Sequence, residues 1–201
     1  MSEGGDVVFI STLQSYIQGI LRHIPGIHWA VIVLLSLAST GFMLMRKKCA
    51  VYGAIALGIS VFVGLFLLDT AVVIRYLGTM KHMSGYDLQF DFSRLFRDSG
   101  LGPSEMISNI VAFIPFSLFL SEFLASAKRF SAGRRLGFAT LAGFGLSLCI
   151  ECLQLVLRVG FFELTDLVMN TLGAFVGAGV AVVIRSLLAK QKKKSVTINP
   201  N

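Results

Sequence analysis

Charged residues are scarce in this chain, since Asp, Glu, Lys and Arg make up only 14% of its 201 residues. A soluble domain averages about 25% charged residues. Hydrophobic residues make up 55% of the sequence, and the mean hydropathy is +0.77. The shortage of charge therefore excludes an ordinary soluble domain and predicts an integral membrane protein whose length fits one compact bundle.

Cysteine and histidine are equally scarce, with three residues of each. Three cysteines are too few for a disulfide framework, and no His-rich segment accompanies them. Cys149 and Cys152 fall within an apolar run, so we interpret them as small apolar residues rather than metal ligands. We expect neither a metal site nor a bound cofactor.

Known catalytic motifs are also missing. The sequence contains no GxSxG, no HExxH and no paired-Asp motif for two metal ions. The net charge of +7 could suggest a nucleic-acid partner. The basic residues lie at the ends of apolar segments, however, where they set membrane topology. We therefore expect no nucleic-acid partner.

The sequence does have five apolar segments, each long enough to cross a bilayer as a helix. Before them, residues 7–24 alternate apolar and polar residues at helical spacing, which predicts an amphipathic helix lying in the membrane interface. We predict an all-α integral membrane protein in which five transmembrane helices form one bundle. The expected divisions are 1–26 for the interfacial helix, 27–188 for the bundle and 189–201 for a basic cytoplasmic tail, with spans at about 27–45, 50–74, 105–127, 136–157 and 165–188.

The distribution of basic residues predicts the orientation. The Arg46–Lys48 turn, the Lys128–Arg135 turn and the C-terminal segment from Arg185 hold 12 of the 18 Lys and Arg residues. Basic residues concentrate on the cytoplasmic side of membrane proteins. The N-terminus is therefore expected outside and the C-terminus inside, and Glu122, at the inner side, is expected to pair with Lys128 or Arg129.

Several polar residues lie inside or at the ends of the apolar segments. A helix turns about 100° per residue, so Glu151 shares a face with the residues three and seven positions later. The same rule puts Gly173 and Gly177 on a stripe with Asp166, and we expect these two glycines to allow close helix packing. A short connector, about Val159 to Leu164, should bring both faces together. The expected cluster comprises Asn109, Glu151, Gln154, Arg158, Asp166 and Asn170.

These residues also carry a family resemblance. The segments NIVAFIPF at 109–116, Glu151-x2-Gln154-x3-Arg158 and Asp166-x3-Asn170-Thr-Leu-Gly173-x3-Gly177 resemble the VanZ-like family of bacterial membrane proteins. The likeness covers about residues 86–177. It implies a multi-pass protein of the bacterial cytoplasmic membrane and an association with resistance to the glycopeptide teicoplanin.

Three functions fit such a cluster, because ionisable groups at membrane depth indicate a functional site. The favoured one is an outward-facing polar pocket that binds an envelope lipid headgroup, a lipid-linked cell-wall precursor or an amphiphilic antibiotic. The alternative is an intramembrane hydrolase or transferase acting on a lipid-linked envelope substrate, with Glu151 or Asp166 as general base. A proton-coupled carrier using Glu151 is the third. The structural interpretation is a clamp in which Arg158 neutralises Glu151 or Asp166 and holds two helices together.

Overall fold

The structure is a computed structural model that describes residues 26–45, 50–77, 83–87, 102–127 and 130–198. The interfacial helix predicted at residues 7–24 lies outside the described residues. Beyond residue 191 only the backbone is described.

Within the described residues there are five long helices, and each is long and apolar enough to cross a membrane. This confirms the predicted fold class, a multi-pass membrane protein built as one helical bundle. The helices are α1 (Gly26–Met45), α2 (Val51–Leu68), α3 (Gly102–Ser126), α4 (Ala132–Leu157) and α5 (Leu164–Ile198).

Helix α2 continues past Leu68 through a π-helical turn, Asp69–Val73, into a last α-helical turn, Ile74–Leu77. In the π-helical turn, the N–H of Ile74 donates to the carbonyl of Asp69, five residues earlier. A turn of this kind interrupts the regular hydrogen-bond ladder, and π-helical turns are frequent at functional sites. It changes the face that the end of α2 presents to its neighbours.

Helices α3 and α5 pack closely because glycines face backbone carbonyls. A Cβ atom on Gly173 would collide with the carbonyl oxygen of Ile110, and one on Gly177 with the carbonyl oxygen of Ile114. Small residues allow such close approach between helices in a membrane. The prediction that these two glycines serve helix packing is confirmed.

A small parallel sheet, which the all-α prediction did not include, joins two connections. Strand β1 (Met83–Asp87) follows α2, and strand β2 (Val159–Glu163) links α4 to α5. The two pair in parallel, from Met83 beside Val159 to Asp87 beside Glu163. The connector expected between α4 and α5 is therefore a strand, paired with part of the long polar segment after α2.

The apolar core that supports this end of the bundle draws on α2, α3, α4 and β2. It is a cluster of Val72, Phe113, Ile150 and Val159, each no more than 4% exposed. Val72 lies in the π-helical turn and Ile150 precedes Glu151 on α4. The core thus fixes the π-helical turn, the end of α4 and the start of β2 relative to one another.

Candidate functional site

The end of α4 decides which polar side chains can meet. The helix ends at Leu157, and Arg158 follows it in the left-handed conformation, with φ at 55°. A non-glycine residue rarely adopts this conformation. The chain turns there into β2, and the Arg158 side chain is exposed.

The prediction that Arg158 neutralises Glu151 or Asp166 in a poorly hydrated place is therefore wrong. An offset of seven residues puts two side chains on one face only while the helix continues. The helix ends one residue too early for that. The site therefore centres on Glu151 and does not include the Arg158 guanidinium.

Glu151 is the most deeply buried acid of the predicted cluster, with 2% of the residue exposed. Its Oε2 atom accepts a hydrogen bond of 2.9 Å from the backbone N–H of Glu163. Glu163 is the last residue of β2. The Glu151 carboxylate therefore ties the last turns of α4 to the point where the chain enters α5.

Arg75, which the sequence interpretation left out of the cluster, takes the place expected for Arg158. It lies in the last turn of α2 and is half-buried. Among the described residues, Arg75 is the cation that acts electrostatically on Glu151, beside the acids Glu163 and Asp166. Its Nη1 atom stands 3.0 Å from where a Cβ on Gly160 would be. A side chain at position 160 would require the guanidinium to shift by a few tenths of an ångström.

Gln154 connects α4 to the π-helical turn of α2. The residue is 6% exposed, and its Nε2 atom donates a hydrogen bond of 3.1 Å to the carbonyl of Ala71. Ala71 lies inside the π-helical turn. The amide side chain thus bonds a backbone carbonyl in the segment where the regular ladder is interrupted.

Helix α5 contributes Asp166 and Asn170. Asp166 is half-buried in the first turn of α5, where the positive end of the helix dipole favours an acid. Asn170 is 6% exposed, and its Nδ2 atom donates to Ser147 Oγ on α4 at 2.9 Å. Its Oδ1 atom is buried and, among the described residues, accepts no hydrogen bond.

The structure therefore brings four of the six predicted residues to one end of the bundle, where α4 meets α5 and the π-helical turn of α2. These are Glu151, Gln154, Asp166 and Asn170. Asn109 is half-buried on α3, next to Ile110, whose carbonyl packs against Gly173 of α5. Within the described part of the chain, the Asn109 side chain makes no hydrogen bond to this group.

A second acid that meets a partner at this end is Asp69. It is 6% exposed, and its Oδ1 atom lies 3.2 Å from Nδ1 of His28 on α1. Asp69 begins the π-helical turn that also contains the Ala71 carbonyl. His28 was missed in the sequence interpretation, although its place at the start of an apolar segment was a usable signal.

Together these groups offer hydrogen-bond donors, acceptors and charges of both signs. They combine buried carboxylates, one guanidinium and two amides from α2, α4 and α5. Among the described residues, no group of three or more His, Cys, Asp and Glu residues could hold a metal ion. A ligand with both hydrogen-bond donors and an anionic group would match this mixture.

Comparison with known proteins gives two matches. The family model described as VanZ/LLP1 matches residues 26–185, which include every described residue of the site. The chain is 29% identical over 124 residues to Protein VanZ from Enterococcus faecium, a match that covers 55% of this chain and 71% of that protein. No solved structure matches the chain.

Proposed function

We propose a binding function for this chain, and the premise is that the chain belongs to the VanZ/LLP1 family of membrane proteins. The proposed role is the one associated with VanZ-like proteins, namely resistance to the glycopeptide teicoplanin. The ligand is an envelope lipid headgroup, a lipid-linked cell-wall precursor or the amphiphilic antibiotic itself. The binding group is the acidic cluster, which we define as Arg75, Glu151, Gln154, Asp166 and Asn170.

The observation that carries this proposal is that Glu151 is buried and accepts few hydrogen bonds. The residue is 2% exposed, and the described residues give its carboxylate one hydrogen bond, from the N–H of Glu163. A carboxylate has about four acceptor positions. Burying an acid in a membrane protein costs at least ~2.5 kcal/mol. A clamp between two helices needs fewer hydrogen-bonding groups than this cluster offers. A bound ligand with donor groups would occupy the acceptor positions that remain.

Asn170 supports the same proposal from α5. Its buried Oδ1 atom accepts no hydrogen bond from the described residues. An unsatisfied buried acceptor costs roughly 1–3 kcal/mol. Ser147, its partner on α4, lies one helical turn before Glu151, so the unused acceptor and the carboxylate belong to one polar strip.

The proposal is tested by Glu151→Gln in a glycopeptide-susceptible host. The parent should lower susceptibility to teicoplanin, and Glu151→Gln should abolish the shift. A glutamine can still accept the hydrogen bond from Glu163, so this change removes the charge and keeps the structural contact. Membrane abundance and elution as a single folded species should match those of the parent.

Glu105→Gln is the matched control, because it makes the same change at an exposed position in the first turn of α3. It should protect as well as the parent does. If Glu151→Gln also protects fully, the acidic cluster is scaffolding and the proposal fails.

We further propose that the acidic cluster faces the outside of the cytoplasmic membrane, with the C-terminus inside. The support is the concentration of 12 of 18 basic residues at the opposite end of the spans. In a variant lacking Cys49, Cys149 and Cys152, a cysteine at the exposed Glu105 position should react with a membrane-impermeant label in intact cells. A cysteine at Lys190 should react only after permeabilisation, and the reverse pattern would overturn the orientation.

A further inference from the structure

A cavity of about 590 Å³ lies at the end of the bundle opposite the acidic cluster. Its polar walls come from α2, α3, α4 and α5, through Tyr52, Glu122, Arg135 and Arg185. Arg135 and Glu151 are separated by 16 residues of α4, which corresponds to about 24 Å along the helix. The cavity is therefore separate from the acidic cluster.

One of the two arginines in this cavity, Arg185, is held by two side-chain hydrogen bonds. The Nε atom of Arg185 donates to Glu122 Oε2 at 3.0 Å, and its Nη2 atom donates to the Tyr52 hydroxyl at 2.7 Å. The guanidinium also lies over the Tyr52 ring, 5.3 Å from the ring centre. Among the described residues, Glu122 pairs with Arg185. Lys128 and Arg129, the partners expected from the sequence, lie outside the described residues.

The other arginine, Arg135, has no such partner among the described residues. The residue is 8% exposed, and its buried Nη1 atom makes no hydrogen bond to the described residues. A buried guanidinium without an anion is strongly unfavourable. The described side chains of the cavity comprise two guanidinium groups and one carboxylate, which leaves one positive charge in excess.

We propose that this cavity binds a phosphate group, carried by an anionic lipid headgroup or by a free phosphate ion. Arg135 is the anchor, because a guanidinium matches phosphate oxygens with two parallel hydrogen bonds. Ile184 and Leu188 of α5 line the cavity and are also largely exposed, so an acyl chain could lie along them. The polar lining of the cavity and the apolar surface beside it suit a lipid headgroup at the membrane boundary.

Native mass spectrometry of the purified chain tests the proposal with phosphatidylglycerol and phosphatidylcholine as probes. The parent should retain phosphatidylglycerol in preference to phosphatidylcholine. Arg135→Gln should reduce that retention by about tenfold, since it removes a charge-assisted pair of hydrogen bonds. Arg134→Gln is the matched control, because Arg134 is the adjacent residue, has the same charge and is exposed.

Inorganic phosphate distinguishes the two sources of the phosphate group. If it raises the unfolding temperature of the parent but not of Arg135→Gln, and phosphatidylglycerol is not retained, the ligand is the free ion. Preferential retention of phosphatidylglycerol identifies the lipid. Equal behaviour of Arg135→Gln and Arg134→Gln in both measurements would overturn the proposal.

Glu122→Gln provides a second variant whose effect has the opposite sign. Removing the carboxylate leaves the cavity more positive, so phosphatidylglycerol or phosphate should bind several-fold more tightly. This variant decides the question even where Arg135→Gln does not fold. Unchanged or weaker binding by Glu122→Gln would contradict an anion site.

Discussion

The two ends of α4 hold buried charge of opposite sign in different ways. Near its C-terminal end, Glu151 is buried with the acids Glu163 and Asp166 as electrostatic neighbours, and Arg75 comes to it from another helix. Near its N-terminal end, Arg135 is buried while the neighbouring Arg185 is matched by a carboxylate and a hydroxyl. One end thus carries buried acids, and the other a buried guanidinium whose Nη1 atom has no hydrogen-bond partner among the described residues.

The difference follows from how each end is closed. At the Glu151 end, β2 and the π-helical turn bring backbone groups to the polar side chains, so Glu151 and Gln154 bond to main chain. At the Arg135 end, side chains bond to side chains around an open cavity. Polar groups fixed by backbone are rigid, which suits selection of a shaped ligand, whereas an open cavity suits a simple anion.

Disrupting the packing of α3 against α5, which supports both ends of the bundle, should have the largest effect on the free energy of unfolding. Gly173→Ala puts a methyl group into the carbonyl of Ile110, and neither backbone can move aside without shifting a helix. We expect a loss of about 1–3 kcal/mol in the free energy of unfolding. The unfolding temperature in matched detergent measures it.

Gly179→Ala is the control for this change on the same helix. No atom lies within 4 Å of the place its Cβ would take. It should be neutral or stabilise α5 by up to ~1 kcal/mol. Equal unfolding temperatures for the two variants would mean that the seam between α3 and α5 does not hold the ends together.

Removing the cation from the acidic end is expected to have the next largest effect. Arg75→Gln leaves Glu151 without its cationic neighbour and should cost roughly 1–3 kcal/mol. Arg158→Gln removes the same charge from an exposed position and should stay within about 0.5 kcal/mol. Thermal unfolding of the two variants, side by side, decides which arginine serves the acidic cluster. A larger loss for Arg158→Gln would restore the role first expected for it.

The spans and the glycine seam could be predicted because each depends on one short pattern in the sequence. Hydrophobic length indicates a membrane helix, and a helical stripe of small residues indicates close packing. Gly173 and Gly177 lie on such a stripe and face carbonyls of α3 in the structure. The same periodicity correctly put Glu151 and Gln154 on one buried face of α4.

The rest of the site depends on contacts between distant segments. The pairing of β1 with β2 joins residues 76 positions apart, from Met83 to Val159, and no local pattern encodes it. The left-handed turn at Arg158 also has no signal, because glycine or asparagine is the usual residue there. Arg75 could have been found only by knowing that the end of α2 reaches α4. Topology, rather than residue type, was the missing information.

A substitution with a smaller expected effect tests how far the polar strip of Glu151, Ser147 and Asn170 extends into the bundle. Ser147→Ala removes the described hydrogen-bond partner of the Asn170 amide and should cost about 0.6–1.7 kcal/mol. Ser186→Ala is the matched control, since Ser186 is exposed on α5 and, among the described residues, donates to the carbonyl of Val182 on its own helix. If the two variants unfold at the same temperature, Asn170 finds other partners and the strip ends at Glu151.

The smallest expected effect concerns the paired charges at the Arg135 end. Glu122→Gln breaks the ion pair with Arg185, whose side chains are 25% and 30% exposed respectively. Ion pairs with this access to water contribute about 0–1 kcal/mol, and salt weakens them further. The loss of stability should therefore be small and should disappear in high salt. Glu105→Gln, an exposed acid near the other end, provides the reference. A loss as large as that of Arg75→Gln would mean that the ion pair, and not a bound anion, stabilises this end. The two ends would then differ only in the sign of their buried charge, since each would be stabilised by a counter-charge from the protein itself.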